Sequence, residues 1–108
     1  MTGEQARAAW LAWLAAERRA SPHTLEAYGR DAAEFLGFLA RHLGGEPDLA
    51  ALGALRPADL RGFLAERAAA GDSAATRARR LAAIRGFLRF LTRRPGMGAL
   101  PLGSLRGP

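Results

Sequence analysis

The chain contains no cysteine, lysine, valine or asparagine, only one isoleucine and only one tyrosine. Without cysteine there is no disulfide scaffold and no thiolate metal site. Two histidines, His23 and His42, leave too few ligands for zinc, so neither a metal nor any other cofactor is expected. The shortage of β-branched residues argues against strands, and the abundance of Ala, Leu and Arg favours helix. No apolar run approaches the roughly 20 residues that a membrane span needs. The opening Met1-Thr2-Gly3-Glu4 is not a basic region followed by an apolar stretch, so no signal peptide is expected. A soluble bacterial cytoplasmic protein, with no membrane and no small-molecule substrate, is the plain expectation. No phosphate-cradling glycine loop or nucleophile elbow is present, so nothing supports an active site within the chain.

One further absence is local. Residues 73–108 hold no Asp or Glu but eight arginines, whereas residues 1–72 hold eight arginines against all ten acids. The net charge of +6 is therefore split into −2 and +8 along the sequence. GC-rich coding explains arginine in place of lysine. It does not explain the missing carboxylates, because Asp and Glu are used freely before residue 73. A basic patch for nucleic acid accounts for both.

What is present reads as four helices in one domain of 108 residues, 49% apolar. The first is expected from about Gly3 to Arg19, opened by a Thr2/Gln5 capping box, with Trp10, Leu11, Trp13 and Leu14 as its core face. The second starts at Ser21-Pro22 and runs through Leu25, Tyr28, Ala32, Phe35, Leu36, Phe38 and Leu39 to Gly44-Gly45. Glu46–Arg56 is expected as a loop tacked to the core by Leu49, Leu52 and Leu55. The third helix runs from Pro57 to Gly71 with Leu60, Phe63 and Leu64 inward, and Asp59 in its first turn suits the dipole. The fourth follows Ser73, turns Leu81, Ile84, Phe87, Leu88 and Leu91 inward, and breaks at Pro95-Gly96. Met97 to Pro108 reads as a linker. The expected class is an all-α bundle with short connections.

The fourth helix carries the chemistry. With Ile84 and Leu88 inward, a step of about 100° per residue points Ala75, Arg79, Ala82, Gly86 and Arg93 away from the core, with Arg85 and Arg89 on one flank. Arg77, Arg79 and Arg80 lie near the positive end of the helix dipole. Arg85, Arg89 and Arg93 repeat at i, i+4, where each like-charge pair costs roughly 0.2–0.5 kcal/mol. No acid in that helix relieves either effect, and a polyanion along the face would relieve both. The small residues would let the backbone approach a DNA groove.

The second and fourth helices also begin alike, Ser21-Pro-His-Thr24 and Ser73-Ala-Ala-Thr76. A threonine stands where a capping box would place a carboxylate, which leaves backbone N–H groups and a hydroxyl for a phosphate. His23 falls on the exposed side of the second helix as a surface residue or DNA contact, with no partner for acid/base work. Tyr28 is assigned to core packing, and Asp31 and Glu34 to a solvated face. The competing reading is a helical protein-interaction module whose basic face docks an acidic partner.

The stretch from Ala9 to Asp31, with Trp10, Leu11, Glu17-Arg-Arg-Ala-Ser-Pro-His-Thr24, Tyr28 and Asp31, resembles one signature of a known family, and Phe35 and Phe38 continue it in register. The stretch from Ser73 to Leu91, with Thr76, Arg79, Leu81, Ile84, Arg85, Phe87 and Phe90, is similar to its second signature. The family is the core-binding, SAM-like N-terminal domain of phage-integrase-type tyrosine recombinases, and the likeness is greatest to the Xer recombinases.

That resemblance implies a four-helix SAM-like bundle over residues 1–96, arching over duplex DNA, and a linker at 97–108 toward a catalytic domain outside this chain. Carried over by position, Ser21, His23, Thr24 and Arg30 on the second helix would touch double-stranded DNA. On the fourth helix the matching positions are Thr76, Arg79, Arg80 and Arg85, joined on the same face by Gly86 and Arg89. The family's usual Asn-Pro near the domain end is Leu100-Pro101 here. The catalytic arginines, histidine and tyrosine of the family belong to a C-terminal domain, so this chain alone is expected not to cleave DNA, and Tyr28 is not the nucleophile. The parent enzyme would cut and rejoin DNA at a core site as a tetramer, with itself or a paralogous recombinase, and resolve chromosome dimers at cell division.

Overall fold

A computed structural model describes residues 1–93, and these form five helices: α1 (Gly3–Glu17), α2 (Pro22–Leu43), α3 (Leu49–Gly53), α4 (Pro57–Ala69) and α5 (Ala74–Leu91). No strand occurs among the described residues, as the all-α expectation requires. The expected helix break at Pro95-Gly96, the linker and Leu100-Pro101 lie outside them.

The starts of α1, α2, α3 and α5 follow from their caps. Thr2 and Gln5 form the reciprocal box, with Thr2 N–H donating to Gln5 Oε1 at 2.9 Å and Gln5 N–H donating to Thr2 Oγ1 at 3.1 Å. The first helix stops two residues before its expected end, because Arg19 takes a left-handed φ of 50° and Ala20 N–H reaches back to the Leu14 carbonyl. Ser21 caps α2 and Gly44, at φ 84°, ends it.

The expected loop at 46–56 contains a helix of one turn. Asp48 Oδ1 accepts from Ala51 N–H at 2.8 Å and nucleates α3. Leu52 and Leu55 are buried and Leu49 packs against the core, so the three leucines act as expected. The chain start is laid against this segment: Gly3 N–H donates to the Pro47 carbonyl and Leu49 N–H to that of Met1. A Cβ on Gly3 would lie 2.8 Å from Leu36 Cδ2 and 3.0 Å from the Pro47 carbonyl oxygen, so the close approach here suits glycine.

The core is continuous through α2, which packs on both α1 and α5. Phe35, Phe63 and Phe87 are fully buried, and each such side chain stabilises the fold by roughly 1.5–3 kcal/mol relative to exposure. Phe63 of α4 meets Phe35 and Phe38 of α2 edge-on, with ring centroids at 5.3 and 5.6 Å. Trp10 of α1 is buried, stacks on Tyr28 at 5.8 Å and meets Phe87 at 5.3 Å. Trp13 is half-buried against Phe90, with Arg18 lying 5.3 Å over its ring. These contacts fix the rotation of α5 and therefore which of its arginines face outward.

Candidate nucleic-acid interface

The inward side of α5 is Leu81, Ala83, Ile84, Phe87, Leu88 and Leu91, all buried. Opposite them Ala75, Arg79, Ala82 and Arg93 are exposed, as expected from helical stepping, and so is Arg89 on the flank. Gly86 differs. It is half-buried, and a Cβ there would meet Trp10 Cζ2 at 3.5 Å, so it lines the groove between α5 and α1.

The starts of α2 and α5 are superimposable in their bonding. Ser21 Oγ accepts from Thr24 N–H at 3.1 Å and donates to Thr24 Oγ1 at 3.0 Å; Ser73 does the same to Thr76 with the same two distances. Each threonine oxygen accepts from its serine, leaving its own proton available to a phosphate. The N–H groups of His23, Ala74 and Ala75 have no carbonyl one turn back, as at any helix start. Ser21 and His23 are exposed, and Thr24 and Thr76 are half-buried. Arg30 is 55% exposed, loosely paired with Glu26 at 3.9 Å.

The arginines of α5 divide into two groups. Arg80, expected among the DNA contacts, is only 8% exposed in its side chain and pairs with three carboxylates. Its Nε donates to Asp72 Oδ2 at 2.7 Å, and its Nη1 to Asp31 Oδ1 at 3.1 Å and to Glu34. It is a buried tie between α2, the α4–α5 turn and α5, with its guanidinium taken up by protein carboxylates. Asp31 and Glu34 likewise are not a solvated face: Asp31 is fully buried and also accepts from Arg79 at 3.3 Å. Acids on neighbouring elements thus relieve the first turns of α5, although α5 has none of its own.

Asp72 completes this cluster through the turn that precedes α5. Gly71, at φ 104°, lets Asp72 N–H reach the Arg67 carbonyl and Gly71 N–H that of Ala68, closing α4 in a Schellman turn. The turn aims the Asp72 carboxylate at both Arg67 and Arg80, and Arg77 donates to its backbone carbonyl at 2.6 Å. Hydrogen bonds from Arg67 and Arg80 hold the Asp72 carboxyl down at about 2. Burial pushes the Asp31 carboxyl up from its ordinary value, against the pull of Arg79, Arg80 and Arg30.

Further along α5 the picture reverses. Among the described residues no carboxylate pairs with Arg85, Arg89 or Arg93. Arg89 and Arg93 are exposed; Arg85 is half-buried, with its Nε enclosed and unbonded. Arg18, Arg89 and Arg93 also rim a groove of about 210 Å³ between α1 and α5, lined by Trp13 and Phe90. Arg18 and Arg93 were outside the expected contact set, yet they extend the positive surface; repulsion at i, i+4 from Arg89 was the available sign for Arg93.

The family description "Phage integrase, N-terminal SAM-like domain" matches residues 8–95. The chain belongs to this family. As a phage-integrase SAM-like domain it is 53% identical over 105 residues to a protein named tyrosine recombinase XerC from Mesorhizobium japonicum, covering 97% of the chain and 34% of that relative. Similar proteins of the same name from Rhizobium meliloti and Methylobacterium nodulans are 52% and 50% identical over 94% and 96% of the chain, and 32% of each relative is covered. The chain thus spans about a third of the length of these curated relatives. No solved structure matches it significantly. Among the described residues of this SAM-like domain, no helix is long and apolar enough to cross a membrane.

Proposed function

We propose that this SAM-like domain is the non-catalytic DNA-gripping part of a XerC-like site-specific recombinase. It would lie on the duplex at the core recombination site with the outer face of α5 and the starts of α2 and α5. The observation that carries this reading is the exposed run Ala75, Arg79, Ala82, Arg89 and Arg93, whose distal arginines face no carboxylate among the described residues. Membership of an integrase domain family supports DNA as the polyanion. Contacts are assigned to Ser21, His23, Thr24 and Arg30 on α2, and to Thr76, Arg79, Arg85 and Arg89 on α5, with Arg93 added. Arg80 and Gly86 are set aside because one is buried and the other faces Trp10.

The chemistry of such a surface is positioning. Phosphate contacts from arginines and helix N-termini set the register, and base edges are reached only where small residues let the backbone approach. Residues 1–96 would form the core-binding domain and 97–108 the connection to a catalytic domain. The parent would cleave and rejoin DNA through a tyrosine supplied by that domain, act as a tetramer in the cytoplasm, and serve chromosome dimer resolution at cell division.

Fluorescence anisotropy with a labelled duplex tests the reading. Binding is expected to weaken steeply with salt, the slope of log K against log salt reflecting about 0.9 per neutralised phosphate. Absence of binding to any duplex at low salt would sink it. The groove rimmed by Arg18, Arg89 and Arg93 favours a second reading, an acidic protein ligand. A tight acidic ligand from a pull-down that duplex DNA fails to displace would establish that one instead.

A further inference from the structure

Asp31 is a fully buried carboxylate, and its position is unusual in what it serves. One oxygen, Oδ1, accepts from both Arg79 at 3.3 Å and Arg80 at 3.1 Å, while Oδ2 has no hydrogen-bond partner among the described residues. Arg80 does not depend on it for charge balance, because Glu34 and Asp72 already pair with that guanidinium. An ionised group without water and with half its acceptor capacity idle is a poor stabiliser of a fold. The contact that only Asp31 supplies is the one to Arg79.

Arg79 is the converse case. Its side chain is 40% exposed, it stands on the outward stripe between Ala75 and Ala82, and Asp31 is its one ion-pair partner among the described residues. A guanidinium carries five N–H donors in a fixed plane. One donates to Asp31, a carboxylate that solvent does not reach, while the side chain as a whole stays 40% exposed. A long side chain that would otherwise sample many rotamers is thereby held in one, and the ordering cost on binding a phosphate is reduced. Burial keeps Asp31 from being displaced by an outside anion or cation.

We propose that Asp31 is a positioning residue for the DNA interface, a buried anchor that aims the Arg79 guanidinium outward at a phosphate or a base edge. This rests on the DNA-binding reading above and deepens it. Asp31 touches no DNA; it acts through Arg79. Its negative charge opposes a polyanion at long range, so positioning and simple electrostatics predict opposite signs for its removal.

The test uses the 108-residue chain with Asp31→Asn, Arg79→Ala, the double variant and Arg79→Lys, measured by anisotropy on one duplex across a salt series. Asp31→Asn raises the net charge by one, so charge alone predicts tighter binding. Positioning predicts a loss of about fivefold to tenfold, the size of one net hydrogen bond, and no further loss in the Arg79→Ala background. Equal or tighter binding by a folded Asp31→Asn variant overturns the proposal, as does an undiminished Asp31 effect when Arg79 is alanine. If Asp31→Asn does not fold, Arg79→Lys decides: it keeps the charge but not the planar fork, so a loss close to that of Arg79→Ala supports positioning and wild-type affinity overturns it. Failure of the wild-type chain to bind any duplex would instead bring down the DNA reading itself.

Discussion

The two halves of α5 carry similar charge and use it differently. In the first half Arg77, Arg79 and Arg80 meet groups contributed by other elements: the Asp72 carbonyl, Asp31, Glu34 and the Asp72 carboxylate. In the second half Arg85 and Arg89, with Arg93 just past the last turn, meet no carboxylate among the described residues, and Arg89 and Arg93 are exposed beside an aromatic groove. A run of arginines on one helix is therefore not one site. Its beginning joins three elements of the fold, and its end presents uncompensated charge, with Arg79 at the boundary belonging to both.

The contrast is sharpest in stability. Arg80→Ala leaves Asp31 and Glu34 without their shared partner in a largely buried place, and breaking such a cluster costs about 3–5 kcal/mol. Urea denaturation is expected to show this loss for Arg80→Ala and a change within about 0.5 kcal/mol for Arg89→Ala. Comparable values for the two would erase the distinction between the halves.

Acid tests the same half without mutation. The Asp72 carboxyl is depressed from 3.8 to about 2 in the folded chain, so the unfolded chain binds the proton more readily. Its contribution is present above the ordinary carboxylate value and is lost as pH falls from near 3.8 through about 2. Glu4, held down by Arg7, adds in the same direction. Asp31 works the other way, because its raised value makes it a better proton acceptor folded than unfolded, and its contribution declines as pH rises above 3.8. Denaturation midpoints are expected to fall between pH 4 and pH 2, and Asp72→Asn to flatten that fall. An equally steep fall in the variant would show that the turn before α5 is not the acid-sensitive joint.

Binding separates the halves in the opposite sense. Arg89→Ala and Arg93→Ala are each expected to lower duplex affinity about threefold to tenfold and to reduce the salt slope by about 0.9, with the fold intact. Arg80→Lys, folded but with its fork lost, is expected to bind DNA much as wild type does. If it loses more affinity than Arg89→Ala, the division between structural and interfacial arginines fails.

Much of this was legible in the sequence, for reasons that trace to particular residues. The starts of α1, α2 and α5 were readable because the side chains of Thr2, Ser21 and Ser73 bond to groups only three residues away. The apolar rows of α2 and α5 were readable because helical stepping maps sequence to side. Asp31 was not. Stepping sets it beside Ala27, Tyr28 and Phe35 as well as Glu34, and its pairing with Arg79 and Arg80 depends on the crossing of α5 over α2, which no local pattern carries. Arg80 failed for the same reason, since its carboxylates lie 8, 46 and 49 residues away in sequence. α3 was missed because a single turn with one aspartate cap leaves too short a pattern to separate from a loop.

The smallest expected effect probes the quietest part of the second half. Gly86 lies between the exposed arginines, and on periodicity alone it belongs to the outward stripe of small residues. In the fold a Cβ there would lie 3.5 Å from Trp10 Cζ2, an ordinary contact that needs no rearrangement. Gly86→Ala therefore gains helix propensity without a clash and is expected to stabilise the domain by about 0.5–1 kcal/mol. Because the added methyl is directed at α1, duplex affinity is expected to stay within about twofold, well short of a lost contact. A stabilised variant with sharply weaker binding would mean that DNA approaches the α5 backbone over Trp10. The interface would then extend across the groove between α1 and α5 and include Arg18.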